Sequence, residues 1–201
     1  MPGPTAQPDP DADVLASIRA GDSRAWHTLF TRHQDRLFAI CYRMTGDRDK
    51  ASDLTQDAMV KVIQGLASFD GSSLLTTWMT RVTMNVCLTY LRSAKLRKHA
   101  SLDAPTPGTD PDRALSGADR LASREQTPGS RVESDDARRL VALGLSRLEP
   151  DQRAILVLRD VRGLDYDQIA TVLSITVGTV KSRLFRARLA LRQEIEKHTK
   201  P

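Results

Sequence analysis

Asp165-Tyr-Asp-Gln-Ile-Ala-Thr-Val-Leu-Ser-Ile-Thr176, followed by Val177-Gly-Thr-Val-Lys-Ser-Arg-Leu-Phe-Arg-Ala-Arg-Leu-Ala-Leu191, is the stretch that decides the fold. Asp165 with Gln168 three residues on forms a capping box, so a short helix opens there and runs to about Leu173. Thr176 is placed to cap a second helix reaching about Lys197. On that helix Val180, Leu184, Ala187 and Leu191 recur at i, i+4, i+7 and i+11, one apolar stripe that faces a core. Off the stripe stand Thr179, Lys181, Ser182, Arg183, Phe185 and Arg186, with Arg188 further along; the acids Glu194 and Glu196 come only near the helix end. Short helix, turn and basic helix make a helix-turn-helix, whose second helix offers its first turns to the major groove of duplex DNA. Lys and Arg reach guanine edges or phosphates, Ser serves either, and Phe touches a thymine methyl. A solvated basic face would carry similar charge, but Phe185 among the bases favours a DNA surface.

Outward from this motif, Pro150 suits the first position of the preceding helix, which ends at Arg162-Gly163. Arg138–Leu145 opens this C-terminal body, residues 138–197. Upstream, residues 100–137 contain Pro105, Pro107, Pro111 and Pro128 with Gly108, Gly117 and Gly129 and no sustained apolar period. They read as an extended or disordered linker, with room for one helical turn around Ala114–Leu121. Residues 13–99 form a second helical body. Its helices run from about Asp13 to Ala20, from a cap at Ser23 to Gly46-Asp47, from about Asp49 to Leu66, and from about Leu75 to Lys98, with a loop from Ala67 to Leu74. Residues 1–12 read as a disordered tail. Strand alternation is missing throughout, so the fold class is all-α, two small helical domains joined by a flexible linker.

Charge follows the same division. The net charge of +5 splits into −3 over residues 1–13, +6 over 14–99, −4 over 100–137 and +6 over 138–201. Two basic bodies on an acidic tether suit a polyanionic partner. Cys41 and Cys87 sit within apolar helical patterns and read as small buried side chains rather than a redox pair or metal ligands. His27, His33, His99 and His198 are scattered, with no metal-ligand spacing. There is no phosphate-binding glycine loop and no nucleophile elbow. Neither enzyme activity nor a cofactor nor a metal is expected. With no signal peptide and no apolar run of spanning length, a soluble cytoplasmic protein without membrane insertion is expected.

Two sets of motifs make the residues specific. Ser146-Arg-Leu-Glu-Pro-Asp-Gln-Arg-Ala-Ile-Leu156, Gly163-Leu-Asp-Tyr-Asp-Gln-Ile-Ala170 and Val177 through Arg188 resemble region 4 of bacterial sigma factors, most of all the extracytoplasmic-function (ECF) subfamily. Asp53-Leu-Thr-Gln-Asp57 resembles region 2.2, and Phe69-Asp-Gly-Ser-Ser73 with Thr77-Trp78 and Asn85 through Arg92 resembles regions 2.3 and 2.4. The resemblance implies a non-enzymatic subunit that joins core RNA polymerase and directs it to promoters. It implies that Asp53, Gln56, Asp57 and Lys61 face the clamp coiled coil of the largest polymerase subunit, while Leu54, Ala58 and Val62 are buried. It further implies that region 4 meets the flap of the second-largest subunit. The loop and helix carrying Ser72, Ser73, Trp78, Arg81, Asn85, Arg92 and Lys95, with Arg97 and Lys98 beyond, would open and hold the −10 element. There Trp78 is expected chiefly as a core anchor. Thr179, Lys181, Ser182, Arg183, Phe185, Arg186 and Arg188 would read the −35 element as duplex. An anti-sigma factor is an expected partner, and the acidic linker would lie in the polymerase's nucleic-acid channels, as a mimic or as a spacer.

The chain departs from the family pattern at Leu74, Leu75 and Thr76, where a polar, an aromatic and a basic residue are frequent, and at Met84, where a basic one is. An altered −10 preference or weaker melting is expected. Ser174 and Thr176 replace the frequent Gly and Pro of the turn. Two other functions stay open at this point. A sigma-like decoy that captures an anti-sigma factor has no need of Lys181, Arg183, Arg186 and Arg188. In an ordinary helix-turn-helix regulator the region 2 motifs would be accidental.

Overall fold

The computed structural model describes residues 9–100 and 139–199, and every regular element among them is helical. The N-terminal body holds α1 (Ala12–Arg19), α2 (Ser23–Thr45), α3 (Arg48–Gly65), a 3-10 turn (Leu66–Ser68) and α4 (Leu75–Ala100). The C-terminal body holds α5 (139–147), α6 (Pro150–Leu156), α7 (Tyr166–Leu173) and α8 (Val177–Thr199). The linker, including the helical turn expected at Ala114–Leu121, lies outside the described residues.

Local chemistry explains most boundaries. Gly46 ends α2 at φ 73°, a left-handed turn that costs a residue without Cβ nothing. The capping box of α7 is complete: Asp165 accepts from the Gln168 N–H at 2.7 Å, and Gln168 accepts from the Asp165 N–H at 3.0 Å. Thr176 accepts from the Thr179 N–H at 3.3 Å and so caps α8. Two expectations need correction. The cap of α2 is Asp22, whose carboxylate accepts from the Arg24 N–H at 2.9 Å, and Ser23 is the first helical residue. An ionised carboxylate at a helix N-terminus gains from the dipole as well as the hydrogen bond, which favours Asp over its neighbour. Residues 9–11, expected in the tail, are part of the described structure, while residues 1–8 lie outside the described residues. Asp11 is buried, accepting from Arg32 at 2.6 Å and from His33 Nε2 at 2.9 Å, so an ion pair and a hydrogen bond fix this segment on α2.

α6 does not stop at Leu156. It widens into a π-helical turn over Val157–Val161, with the Arg162 N–H donating to the Val157 carbonyl at 2.9 Å, and Gly163 then breaks it at φ 67°. Val157 and Leu158 are both fully buried in this turn. Ser174 closes α7 in the left-handed region at φ 54°, where the family pattern places Gly.

The hydrophobic interior has two parts. One joins α1, the first half of α2, the end of α3 and the start of α4 through Leu29, Leu37, Val62, Leu66, Phe69, Leu75 and Met79. The other runs on from Ile40, Met44, Ala58, Met84 and Cys87 of the N-terminal body into Leu145, Leu148, Ile155, Leu158, Ile169, Val180 and Leu184 of the C-terminal body. The two bodies are therefore docked through shared apolar surface. Within it the sulfurs of Cys41 and Cys87 lie 3.6 Å apart as free, buried thiols. The thiol of Cys87 is pushed well up by its bond to Cys41 and by burial, so it stays protonated and donates.

Arg153, only 6 % exposed, stands at this joint. Its guanidinium donates to the Met44 carbonyl at the end of α2, to the Ser146 carbonyl at 2.6 Å and to the Leu148 carbonyl at 3.1 Å. One cation thus satisfies carbonyls at the C-terminal ends of α2 and α5, where helix dipoles favour positive charge. Burial lowers its proton affinity, and Glu149 partly restores it.

Candidate nucleic-acid and polymerase interfaces

α8 presents its bases as its period requires. Val180, Leu184 and Ala187 are buried, and Leu191 packs against the same core. Lys181, Ser182, Arg183, Arg186 and Arg188 are exposed, Thr179 is half-buried, and Phe185 is 72 % exposed. At that exposure most of the ring faces solvent. Several of the polar groups have internal partners. The Thr179 hydroxyl meets that of Thr176 at 2.9 Å, Arg186 Nε donates to the Ser182 carbonyl at 3.3 Å, and Arg188 pairs with Asp160 at 2.6 Å. Lys181 Nζ lies 6.0 Å from the centroid of the Tyr166 ring, and Arg159 lies 5.1 Å from it. α8 carries no acid between Val177 and Arg188, and its exposed cations spread around the arc outside the buried stripe, with Arg188 tied to Asp160.

On α3, Leu54, Ala58 and Val62 are buried and Asp53, Gln56, Asp57 and Lys61 are exposed. Sequence reasoning missed two members of this face. Val60 is 50 % and Ile63 47 % exposed, and with Asp53 and Gln56 they recur at steps of three and four. That spacing is the one a helix presents to a partner helix. The available signal was an apolar pair left over after the core stripe was assigned.

The third surface is the loop from Phe69 to Leu74 with α4. Phe69 and Leu75 are buried and anchor the loop at both ends, and between them Gly71 takes φ 77° and the Ser72 N–H donates to Asp70 at 2.9 Å. Trp78 is half-buried, its ring centroid 5.4 Å from that of Phe69, and Gly65 lies so close that a Cβ there would sit 3.2 Å from the Trp78 ring. The tryptophan thus braces the end of α3 and the loop together. Ser72, Arg81 and Asn85 are exposed and Ser73 is half-buried. Two of the departures noted in the sequence turn out to be interior: Leu75 and Met84 are fully buried, so they fill the core instead of thinning the basic surface. Further along α4, Arg92 pairs with Asp151 at 2.7 Å and Lys95 with Glu149 at 2.7 Å, both acids belonging to the C-terminal body. Arg97 is exposed, and the side chain of Lys98 lies outside the described residues. Arg162 approaches Arg36 across the same joint, and burial together with that like charge lowers its proton affinity.

Beside the loop, the N-terminal segment walls off an open-sided cavity of about 840 Å³ between α1 and residues 69–74. Arg19 donates to the Phe69 carbonyl at 2.7 Å, and Asp9 accepts from the Leu75 N–H at 2.6 Å. No helix among the described residues is long and apolar enough to cross a membrane, and no group of three or more metal-ligating side chains occurs among them.

Comparison with known proteins agrees with this arrangement. The family models Sigma-70 region 2 and Sigma-70, region 4 match residues 29–97 and 138–191. The RNA polymerase sigma-H factor of Pseudomonas aeruginosa is 30 % identical over 92 % of this chain and 94 % of its own length. The ECF RNA polymerase sigma-E factor of Escherichia coli is 29 % identical over 92 % of this chain and 94 % of its own. Among solved structures, the sigma factor RpoE in complex with the anti-sigma factor NepR from Bartonella quintana superposes with a TM-score of 0.61 at 24 % identity, covering 87 % of this chain and 98 % of that one. CnrH in complex with the cytosolic domain of CnrY gives 0.61 at 23 % identity, covering 93 % and 97 %. With two region motifs in order and a relative matched along almost its whole length, the chain belongs to the sigma-70 family, in its extracytoplasmic-function subfamily, and is a promoter-directing sigma factor.

Proposed function

We propose that the three surfaces divide the work of initiation. The α3 face of Asp53, Gln56, Asp57, Val60, Lys61 and Ile63 docks on a helical element of core polymerase, the clamp coiled coil of its largest subunit. The loop 69–74 with Trp78, Arg81 and Asn85 opens and holds the −10 element. The first turns of α8 read the −35 duplex, Lys181, Ser182, Phe185 and Arg186 nearest the bases, while region 4 also meets the flap of the second-largest subunit. The observation that carries the reading is the acid-free first half of α8, where exposed cations flank a phenylalanine ring that is 72 % exposed. A decoy would gain nothing from that surface. The role is binding rather than catalysis, and an anti-sigma factor is the expected partner, as in the RpoE complex.

Arg92 and Lys95 reach promoter phosphates by leaving Asp151 and Glu149. Exposed ion pairs contribute little and are screened by salt, so the two pairs give way readily to a phosphate backbone. Run-off transcription with core polymerase on a randomised promoter library tests the scheme and yields a working promoter. Lys181→Ala with Arg186→Ala is expected to abolish initiation from −35-dependent templates while polymerase capture survives. Normal initiation by that double variant would remove α8 from the −35 element.

A further inference from the structure

We propose that Asp9 and Arg19 are positioning residues for promoter opening, clamping the two ends of loop 69–74 from outside the loop; this rests on the reading of that loop as the −10 element's holder. α4 begins at Leu75, and the residue before it, Leu74, has an apolar side chain that cannot accept the first free N–H groups of the helix. The local serines do not supply the missing acceptor: the Ser73 hydroxyl is turned to the Leu74 carbonyl at 3.5 Å. The acceptor comes instead from Asp9, whose Oδ2 lies 2.6 Å from the Leu75 nitrogen. The other carboxylate oxygen accepts from the Asp11 N–H at 2.9 Å. Asp11 in turn is buried between Arg32 and His33 of α2, so the clamp is rooted in the body of the fold.

The opposite end of the loop is held in the complementary sense. Arg19, the last residue of α1, donates through Nη2 to the Phe69 carbonyl at 2.7 Å. One carboxylate and one guanidinium from the same short segment thus take a donor and an acceptor at the loop's two ends. Between these points the loop and α1 border an open groove lined by Ala12, Leu15, Leu74 and the clamp residues themselves. Asp70, Gly71 and Ser72 at the middle of the loop are exposed, so its position depends on its anchors, Phe69 against Trp78 and the buried Leu75, and on these two charge-assisted bonds. Capturing an unstacked base needs a receiving loop already in place, because ordering it on binding subtracts from affinity.

The test uses holoenzyme assembled with core polymerase on a promoter selected from the library, carrying 2-aminopurine in its −10 segment. Asp9→Ala and Arg19→Ala are each expected to slow the fluorescence rise of strand opening about tenfold, as for loss of a charge-assisted hydrogen bond. Polymerase capture and duplex binding at the −35 element stay at the wild-type level. Arg19→Lys, which keeps a donor, and Asp9→Asn, which keeps an acceptor, recover most of the rate; a merely structural role would not follow that chemistry. Amide hydrogen exchange at Leu75 rises in Asp9→Ala and reports the clamp itself. A triple variant, Asp70→Ala, Ser72→Ala and Ser73→Ala, tests the loop directly. If the triple variant opens the promoter normally, the loop reading and the clamp both fall. If it slows opening while Asp9→Ala and Arg19→Ala do not, the clamp alone is overturned.

Discussion

Replacing Arg153 by methionine keeps the length and apolar stem of the side chain and removes its donors and charge. Three carbonyls lose their partner, those of Met44, Ser146 and Leu148, in a site where the guanidinium is only 6 % exposed. A hydrogen bond from a charged group contributes about 1.5–3 kcal/mol, and buried acceptors left without a donor cost about 1–3 kcal/mol each. The sum is reduced because the cation no longer has to be desolvated, a cost visible in the lowered proton affinity of Arg153. Bonds from one guanidinium are also not additive, so a net loss of about 3 kcal/mol is expected. For a fold of this size that corresponds to a fall in Tm of roughly 6–12 °C. The bond to Met44 crosses between bodies, whereas those to Ser146 and Leu148 do not. Wild-type protein is therefore expected to melt in one cooperative transition, and Arg153→Met to split it, the C-terminal body melting first. Calorimetry with urea denaturation by near-ultraviolet dichroism measures both effects. A loss below about 1 kcal/mol with an unchanged single transition would refute the assignment of Arg153 as the pin of the joint.

Burial holds His33 below the ordinary imidazole range against the opposing pull of Asp11, so the folded protein binds this proton less readily than the unfolded chain. The stability it contributes is whole above the ordinary histidine value and is lost as pH falls through that value toward the folded one; urea midpoints should drop over that fall, and His33→Asn should flatten the slope. Ser174→Gly relieves the left-handed backbone at φ 54° and should raise stability by about 1 kcal/mol, read as a shift in urea midpoint at constant m. Val60→Lys with Ile63→Lys should change Tm by less than about 2 °C, since both residues are exposed, yet weaken polymerase capture by about tenfold or more; unchanged capture would move the docking face off α3.

Periodicity and punctuation made the helices legible. The Val180-to-Leu191 stripe, the Asp165–Gln168 box, Pro150 and Gly46 are local signals, and local physics decides them. What escaped the sequence was set by distance along the chain or by competition between neighbours. Asp9 and Leu75 are 66 positions apart, and no pattern announces that a tail carboxylate will cap a remote helix. Arg153 lies among residues that read as the amphipathic start of α6, where an arginine suggests solvent; only the meeting of two helix ends explains its burial. Asp22 and Ser23 are both good caps, and the carboxylate, favoured by the helix dipole, took the place. Leu75 and Met84 looked like losses from a DNA surface because alignment to a family pattern does not say which side of a helix a position occupies. At the interfaces, the residues that face outward were legible from the helical period, but the pairing of Arg92 and Lys95 with Asp151 and Glu149 was not, since it depends on how the two bodies meet.

The two sulfurs of Cys41 and Cys87 touch across α2 and α4 with no solvent contact at either one. That makes them a stopwatch already wound into the molecule. A small alkylating reagent can reach them only during excursions that part these helices, so its rate of incorporation counts those excursions without any added label. Because the same apolar cluster continues into α6 and α7, the count should quicken whenever the C-terminal body lifts away, and polymerase, promoter and regulator can each be ranked by how far they change the tempo.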